Sequence, residues 1–147
     1  MTALLETRGL SKSFGGLKAV TDVSFAIDKG EVRAVIGPNG AGKTTFVSLI
    51  SGRIGPSAGT ILFEGEDVTP LPAFRRVQKG IAYTFQITSI YQNLTVAENV
   101  ALAAHQPGAK ASLEPLERVG LADRAAQVAG TLAYGHQRLL EVAMGLA

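Results

Sequence analysis

The chain has 147 residues, of which 46% are apolar, and its mean hydropathy is +0.22; these values predict one ordered globular domain and exclude a disordered tail. With 14 Lys and Arg against 12 Asp and Glu, the net charge is only +2, so the composition does not indicate nucleic-acid binding. The absence of cysteine excludes disulfides and thiolate metal sites.

No signal peptide is predicted in residues 1–10. Glu6 and Arg8 interrupt the apolar residues of a would-be signal peptide, and no run approaches the roughly 18 apolar residues that a membrane helix needs. We therefore expect a soluble chain whose membrane association, if any, goes through a partner.

Two antiparallel strands are predicted near the start of the chain, in 4–10 and 19–27. The second ends at Asp28-Lys29-Gly30-Glu31, which has the composition of a hairpin turn. The apolar run Val32–Ile36 comes next and predicts a buried strand.

That run leads into Gly37-Pro38-Asn39-Gly40-Ala41-Gly42-Lys43-Thr44, which matches the phosphate-loop pattern G-x-x-x-x-G-K-[ST] in full. Glycines let the backbone form a nest of N–H donors, and the helix that begins at its end adds a positive terminus. Lys43 can reach the terminal phosphates, and Thr44 offers a hydroxyl to Mg²⁺. The sequence therefore predicts a site for a nucleoside triphosphate against the N–H groups of Gly40 to Thr45.

Shorter elements follow the phosphate loop. They are predicted as a helix over 43–51, a strand over 60–63, a short helix over 72–78 and a strand over 81–85 that ends at Gln86. Ile61-Leu62-Phe63-Glu64 imitates an apolar strand with an acidic metal ligand at its end. Since Gly65-Glu66-Asp67 follows, we interpret it as one arm of a hairpin.

The remaining sequence is predicted to be helical. Thr95 and Glu98 form a capping-box pattern at the start of a helix over 95–104, which Gln106-Pro107-Gly108 ends. Further helices are predicted over 112–119, 123–129 and 137–147.

With the phosphate loop, Gln86 at a strand end and Leu132-Ala133-Tyr134-Gly135-His136-Gln137-Arg138 in order, the chain resembles the ATP-binding subunit of an ABC transporter. The resemblance runs the whole length and implies an α/β fold. That fold is a RecA-like P-loop NTPase core with an antiparallel β subdomain and a helical subdomain, lacking the C-terminal strands. Residues 1–147 are then the N-terminal portion of the ATP-binding domain. In it, 1–86 hold the core and antiparallel sheet, and 87–147 hold the Q-loop continuation, helical subdomain and signature helix.

The resemblance assigns roles to single residues beyond the phosphate loop. Phe14 matches the aromatic residue, more often Tyr, that stacks on adenine; the alternative is a core position. Gln86 matches the glutamine that reaches the metal and the attacking water and relays changes to the membrane partner, although a glutamine at a strand end is commonly only a polar cap. Metal ligands are thus Thr44 and Gln86, catalytic residues are Lys43 and Gln86, and Thr45 joins the phosphate-binding residues.

The segment from Leu132 to Gln137 matches only in part the family's signature, commonly Leu-Ser-Gly-Gly-Gln, because Ala133, Tyr134 and His136 replace Ser, Gly and Gln. In the family this loop caps the ATP held by the opposite subunit. The branched-chain amino-acid uptake ATPases resemble this variant. We interpret His136 as a surface or capping residue and His105 as incidental.

The resemblance implies ATP and Mg²⁺ as cofactors, and as partners transmembrane permease subunits and a second ATP-binding subunit. It implies a location on the cytoplasmic face of the membrane, held by those partners. The acidic strand, the catalytic Glu and the switch His of the family are missing, so we expect an intact subunit to need on the order of a hundred further residues.

We therefore expect ATP binding with little or no hydrolysis by this chain alone. The alternative function is a non-hydrolysing nucleotide-binding module with an assembly or regulatory role. A soluble ABC-type ATPase of DNA repair or translation is disfavoured by the lack of long helical arms and basic stretches.

Overall fold

The computed structural model of the chain describes residues 3–104 and 112–147, so His105 and the predicted helix end at 106–108 lie outside the described residues. The chain forms two compact units that divide between Ile81 and Ala82. The assignment of 1–86 and 87–147 to two functional portions stays a prediction.

The described part of the first unit holds an antiparallel sheet and two helices. In chain order the elements are β1 (Leu5–Phe14), β2 (Leu17–Ile27), α1 (Lys43–Ile50), β3 (Ala58–Phe63), β4 (Glu66–Asp67) and α2 (Ala73–Gln78). The strand order is β2-β1-β3-β4, with every pairing antiparallel. The predicted antiparallel sheet is thus confirmed, and its first two strands are longer than predicted.

Alternating apolar residues of the sheet and one face of α1 build the core of this unit. Its buried members are Leu10, Val20, Phe46, Leu49, Ile61, Val68 and Ile81. Phe46 of α1 meets Phe25 of β2 edge to face, with ring centroids 5.7 Å apart. This packing fixes α1, and hence the phosphate loop before it, against β2.

The prediction of a buried strand over Val32–Ile36 is wrong. No strand is assigned to these residues, and Val32 and Ile36 are 93% and 89% exposed. A strand exists only through the ladder it forms with a neighbour, and no described strand pairs with this segment. The apolar composition of Val32–Ile36 is typical of a buried strand, but no described residue forms the ladder that would make it one.

The strand predicted over Ile81–Phe85 is likewise absent from the described ladders, for the same reason. The hairpin interpretation of Glu64 is confirmed, since Phe63 pairs with Glu66 across a turn in which Glu64 has a φ of 50°. Glu64 therefore lies in a turn and not at the end of a core strand.

The described part of the second unit is helical. Its elements are α3 (Val96–Ala103), α4 (Glu114–Val119), two 3₁₀ turns (Ala122–Arg124 and Ala129–Thr131) and α5 (Tyr134–Leu146). Their apolar faces meet in one core made by Val96, Val100, Leu116, Leu121, Ala129, Leu132, Leu140 and Ala143. The helix predicted over 123–129 is wrong, because two short 3₁₀ turns pack there instead.

The predicted capping box at the start of α3 is confirmed. The Thr95 hydroxyl accepts from the Glu98 N–H, and the Thr95 N–H donates to the Glu98 carboxylate at 2.7 Å. These donors, the backbone N–H first and the hydroxyl second, hold the pKa of Glu98 below its usual value. α5 begins at Tyr134, earlier than the predicted Gln137, so the last four residues of the signature segment form the first turn of that helix.

Candidate nucleotide-binding site

The phosphate loop connects the exposed segment 32–36 to α1 and is held against β2 by its last glycine. Gly42 precedes the first residue of α1 with a φ of 90°, and a Cβ at this position would lie 2.2 Å from the Ala19 carbonyl oxygen. Only glycine satisfies both the dihedral and the close approach. The fold therefore requires the second glycine of the motif for backbone reasons, apart from any ligand.

Lys43 folds back over this loop. Its Nζ donates to the carbonyl oxygens of Gly37 at 2.6 Å and Pro38 at 2.7 Å. An ammonium group has three donors, so one remains for a ligand in the concavity of the loop. The loop thus positions the cation beside the N–H groups that a phosphate would meet.

The N-terminus of α1 is a positive end without a protein counter-group. The helix has no side-chain N-cap hydrogen bond and no acidic residue in its first turn. Within the part of the chain that the structure describes, the N–H groups of Lys43, Thr44 and Thr45 have no acceptor. Unsatisfied donors and the helix dipole both favour an anion here.

The site offers a magnesium ion few protein oxygen ligands. Thr44 is exposed at the second position of α1, where its hydroxyl can serve as one ligand. The described residues contain no cluster of three or more acidic or histidine side chains. Such a donor set suits Mg²⁺ carried by phosphates, because that ion keeps most of its ligands as phosphate and water oxygens.

Phe14 lies at the tip of the β1–β2 hairpin and is 48% exposed, so the alternative of a core position is wrong. Its cross-strand partner Leu17 is two residues from Ala19, about 7 Å along the strand from the contact with Gly42. The Lys12 ammonium stands 5.2 Å from the ring centroid. An exposed ring at the loop end of the hairpin suits base stacking, which stays a prediction.

Gln86 belongs to the second unit and is exposed in a segment without regular secondary structure. Two side chains of α5 bind the residue before it: the Glu141 carboxylate accepts from the Phe85 N–H at 2.9 Å, and Arg138 donates to the Phe85 carbonyl. Sequence reasoning missed Glu141. The signal was a single carboxylate inside the apolar run 139–143.

The signature segment surrounds the start of α5. Leu132 is buried, Ala133 occupies the N-cap position, and Tyr134 and Gly135 are exposed in the first turn. This helix also lacks a side-chain cap and acidic residues in its first turn. Its open end has the electrostatic character that the signature role requires.

The two other signature residues are partly buried. Gln137 donates from Nε2 to the Leu132 carbonyl at 3.1 Å and ties the loop to the helix. Nδ1 of His136 is buried without a hydrogen-bond partner. His136 is half-buried, and it does not act as a cap, because α5 has no side-chain N-cap hydrogen bond.

A glycine-rich loop leads into a helix, a lysine folds back over the loop, and an antiparallel sheet lies beside them. This arrangement is that of a P-loop nucleotide-binding domain. The model of the ABC transporter family matches residues 20–147, and the chain belongs to this family.

Two curated relatives are ATP-binding proteins of high-affinity branched-chain amino acid transport. BraF of Pseudomonas aeruginosa is 37% identical, and LivG of Escherichia coli K12 is 36% identical; each alignment covers 95% of this chain and 63% of the relative. A putative ribose/galactose/methyl galactoside import ATP-binding protein of Rhizobium meliloti is also 36% identical, over the whole chain and 30% of that protein. The chain thus spans less than two thirds of these relatives.

Solved structures agree with this assignment. The ADP conformation of an ATP-binding cassette of an ABC transporter superposes with a TM-score of 0.88 at 29% identity, covering 99% of this chain and 65% of that one. A nucleotide-free ATP-binding cassette gives a TM-score of 0.87 at 30% identity with the same coverage. Across the described residues, none of the helices has the length and apolar character needed to cross a bilayer.

Proposed function

We propose that the chain binds Mg²⁺-ATP, with the phosphates against the N–H groups of Gly40 to Thr45 and Lys43 beside them. The supporting observation is the conjunction of Lys43 over the loop with an α1 terminus that has neither a cap nor an acidic neighbour. Thr44 then supplies a protein oxygen to the metal, and Phe14 faces the base.

Calorimetry of ATP binding tests this proposal. Lys43→Ala removes the mobile positive charge, and we expect affinity to fall by at least roughly 100-fold, since several charge-assisted hydrogen bonds are lost. Lys29→Ala, an exposed lysine in the turn after β2, is the matched control and should bind like the wild type. Equal affinity of Lys43→Ala and wild type would refute the phosphate site.

We propose further that this chain energises solute import, with branched-chain amino acids as the solute, through permease subunits on the cytoplasmic face of the membrane. The support is that two relatives are ATP-binding proteins of branched-chain amino acid transport, and that the Ala133-Tyr134-Gly135 variant of the signature resembles that of this group. The proposed assembly pairs two ATP-binding subunits, so that the start of α5 in one faces the phosphate loop of the other.

Transport by a reconstituted complex tests the solute. The protein in its native length would be combined in proteoliposomes with the permease subunits encoded beside it, and ATP-driven uptake of labelled leucine compared with labelled ribose. Leucine uptake is expected. Because a sugar-import protein is nearly as similar to the chain, ribose uptake without leucine uptake would replace the amino-acid proposal.

A second candidate function is nucleotide binding without hydrolysis. Glu64 is the acidic residue whose sequence context most resembles that of a metal ligand, but it lies in the β3–β4 turn. This position favours the second candidate, because it removes that carboxylate as a metal ligand. Phosphate release by the 147-residue chain without other subunits tests this second candidate. We expect no release above the Lys43→Ala background, and release that this substitution abolishes would show that the chain hydrolyses ATP unaided.

A further inference from the structure

The segment 86–90 runs between two residues whose backbone N–H and C=O are both bound by side chains. Phe85 precedes the segment and Tyr91 follows it. No helix or strand is assigned from 82 to 91, so its course is not set by a ladder. Side chains replace the pair of hydrogen bonds that a neighbouring strand would make.

The first of these contacts comes from α5. Glu141 accepts from the Phe85 N–H at 2.9 Å through one carboxylate oxygen, and its other oxygen accepts from Arg138 at 2.9 Å. The same Arg138 nitrogen also donates to the Phe85 carbonyl. The Glu141 side chain is only 6% exposed, whereas the Arg138 side chain is 36% exposed, so the buried carboxylate is joined to a guanidinium group that solvent still reaches.

The second contact comes from α3. The amide of Asn99, which is fully buried, accepts from the Tyr91 N–H at 2.8 Å and donates to the Tyr91 carbonyl at 3.0 Å. It also donates to the Thr95 carbonyl at 2.9 Å, which fixes its orientation. Residues 86–90 are therefore fixed at both ends by the second unit.

Packing does not account for Glu141. An apolar residue would fill this position in α5 without the desolvation cost of a buried carboxylate, which is repaid only by the bonds it makes. Those bonds go to Arg138 and to the backbone of Phe85. A fixed Phe85 peptide restricts the backbone that leads into Gln86, and with it the point from which the exposed Gln86 side chain projects.

We propose that Glu141 and Arg138 are positioning residues for Gln86. They hold the Phe85 peptide so that the backbone of Gln86 is ordered before any ligand arrives. The inference rests on the proposed Mg²⁺-ATP binding and on the role that the family resemblance gives to Gln86, which is to reach the metal and the attacking water. α5, whose first turn contains part of the signature segment, is thus also the helix that holds the peptide before Gln86.

A first measurement needs no nucleotide. Glu141→Leu keeps an apolar filling, and Glu141→Gln keeps the shape but turns an amide donor toward either Phe85 or Arg138. In both variants we expect amide exchange of Phe85 to accelerate by roughly tenfold and the order parameter of Gln86 to fall. Glu117→Gln, an exposed carboxylate of α4, is the control. Thermal melting identifies a variant that has lost its fold. If one of the two Glu141 variants has unfolded, the same two quantities are measured in the remaining Glu141 variant and in Arg138→Met.

The second measurement uses calorimetry to compare ATP affinity in the presence of Mg²⁺ with ATP affinity in EDTA; the ratio of the two is the magnesium gain. Gln86→Ala and Glu141→Leu should reduce this gain by a similar factor. The double variant should lose no more than either single variant, because both act on one group.

The outcomes separate the two proposals. Unchanged Phe85 exchange or an unchanged Gln86 order parameter in Glu141→Leu overturns the positioning role, as does an additive loss in the double variant. If the wild type binds no ATP, or if Gln86→Ala leaves the magnesium gain intact, the proposed nucleotide role fails. The exchange and order-parameter results then decide by themselves whether Glu141 orders Gln86.

Discussion

At the scale of the residue, the candidate site is defined by hydrogen-bond donors that have no acceptor in the described part of the protein. The three N–H groups at the start of α1 lack acceptors in the described chain, and Lys43 binds two loop carbonyls and keeps its third donor for a ligand. Such donors cost stability unless water or a ligand accepts from them. An anion is the ligand that satisfies both the donors and the charge.

Phe14→Ala tests the base end of the site. If the exposed ring stacks on adenine, the substitution should weaken ATP binding by about 1–3 kcal/mol. It should leave the binding of inorganic triphosphate unchanged, because that ligand has no base. Competition calorimetry measures both affinities. Phe74→Ala removes another exposed ring, on α2, and should alter neither; an equal loss for the two ligands would argue against stacking.

At the scale of the element, one buried arginine joins α1 to the loop before α2. Arg76 is 1% exposed and donates to the carbonyls of Leu49 and Ile50 at the end of α1 and of Thr69 and Leu71 in the loop. It thereby satisfies carbonyls that a helix C-terminus leaves unpaired. The α1 helix therefore has a closed C-terminus and an open N-terminus.

Arg76→Met should lower the free energy of unfolding of the first unit by about 2–4 kcal/mol, because buried carbonyls lose their donors. Its neighbour Arg75, exposed beside the Phe74 ring, offers the matched control. We expect Arg75→Met to change stability by less than about 0.5 kcal/mol. Urea denaturation followed by circular dichroism measures the difference. Equal denaturation midpoints for Arg76→Met and Arg75→Met would contradict the stabilising role of the Arg76 hydrogen bonds.

At the scale of the whole molecule, the first unit exposes an apolar groove beside the segment 32–36. A cavity of about 640 Å³ lies between this segment and the sheet, with Val23, Phe25 and Phe46 among its lining residues. Val35 is also exposed. An unpaired apolar segment next to an apolar groove favours association with another chain.

We therefore predict that the 147-residue chain self-associates. Light scattering should give a mass above the 15.3 kDa of one chain that rises with concentration. The double change Val32→Asp with Ile36→Asp should restore the monomer mass by adding charge to the exposed segment, whereas Val77→Asp on α2 should not. A wild type that stays monomeric at all concentrations would contradict this prediction.

The sequence by itself determined the features that depend on neighbours in the chain. Gly42, Lys43 and Thr44 follow one another in a pattern whose turn, helix start and donors are local, and the Thr95–Glu98 box closes within one helical turn. The β1–β2 pairing was also predictable, since it needs only alternation and a nearby turn. These elements carry their hydrogen-bond partners within a short stretch of sequence.

Only the tertiary structure decided whether an apolar or charged residue found a distant partner. Val32–Ile36 has the composition of a buried strand but is exposed, because a strand needs a ladder that the pattern cannot supply. Arg76 and Glu141 look like surface charges in sequence, yet both are buried, because carbonyls and an N–H far along the chain accept or donate to them. The free energy of these contacts comes from groups that meet only after folding, so no local pattern encodes them.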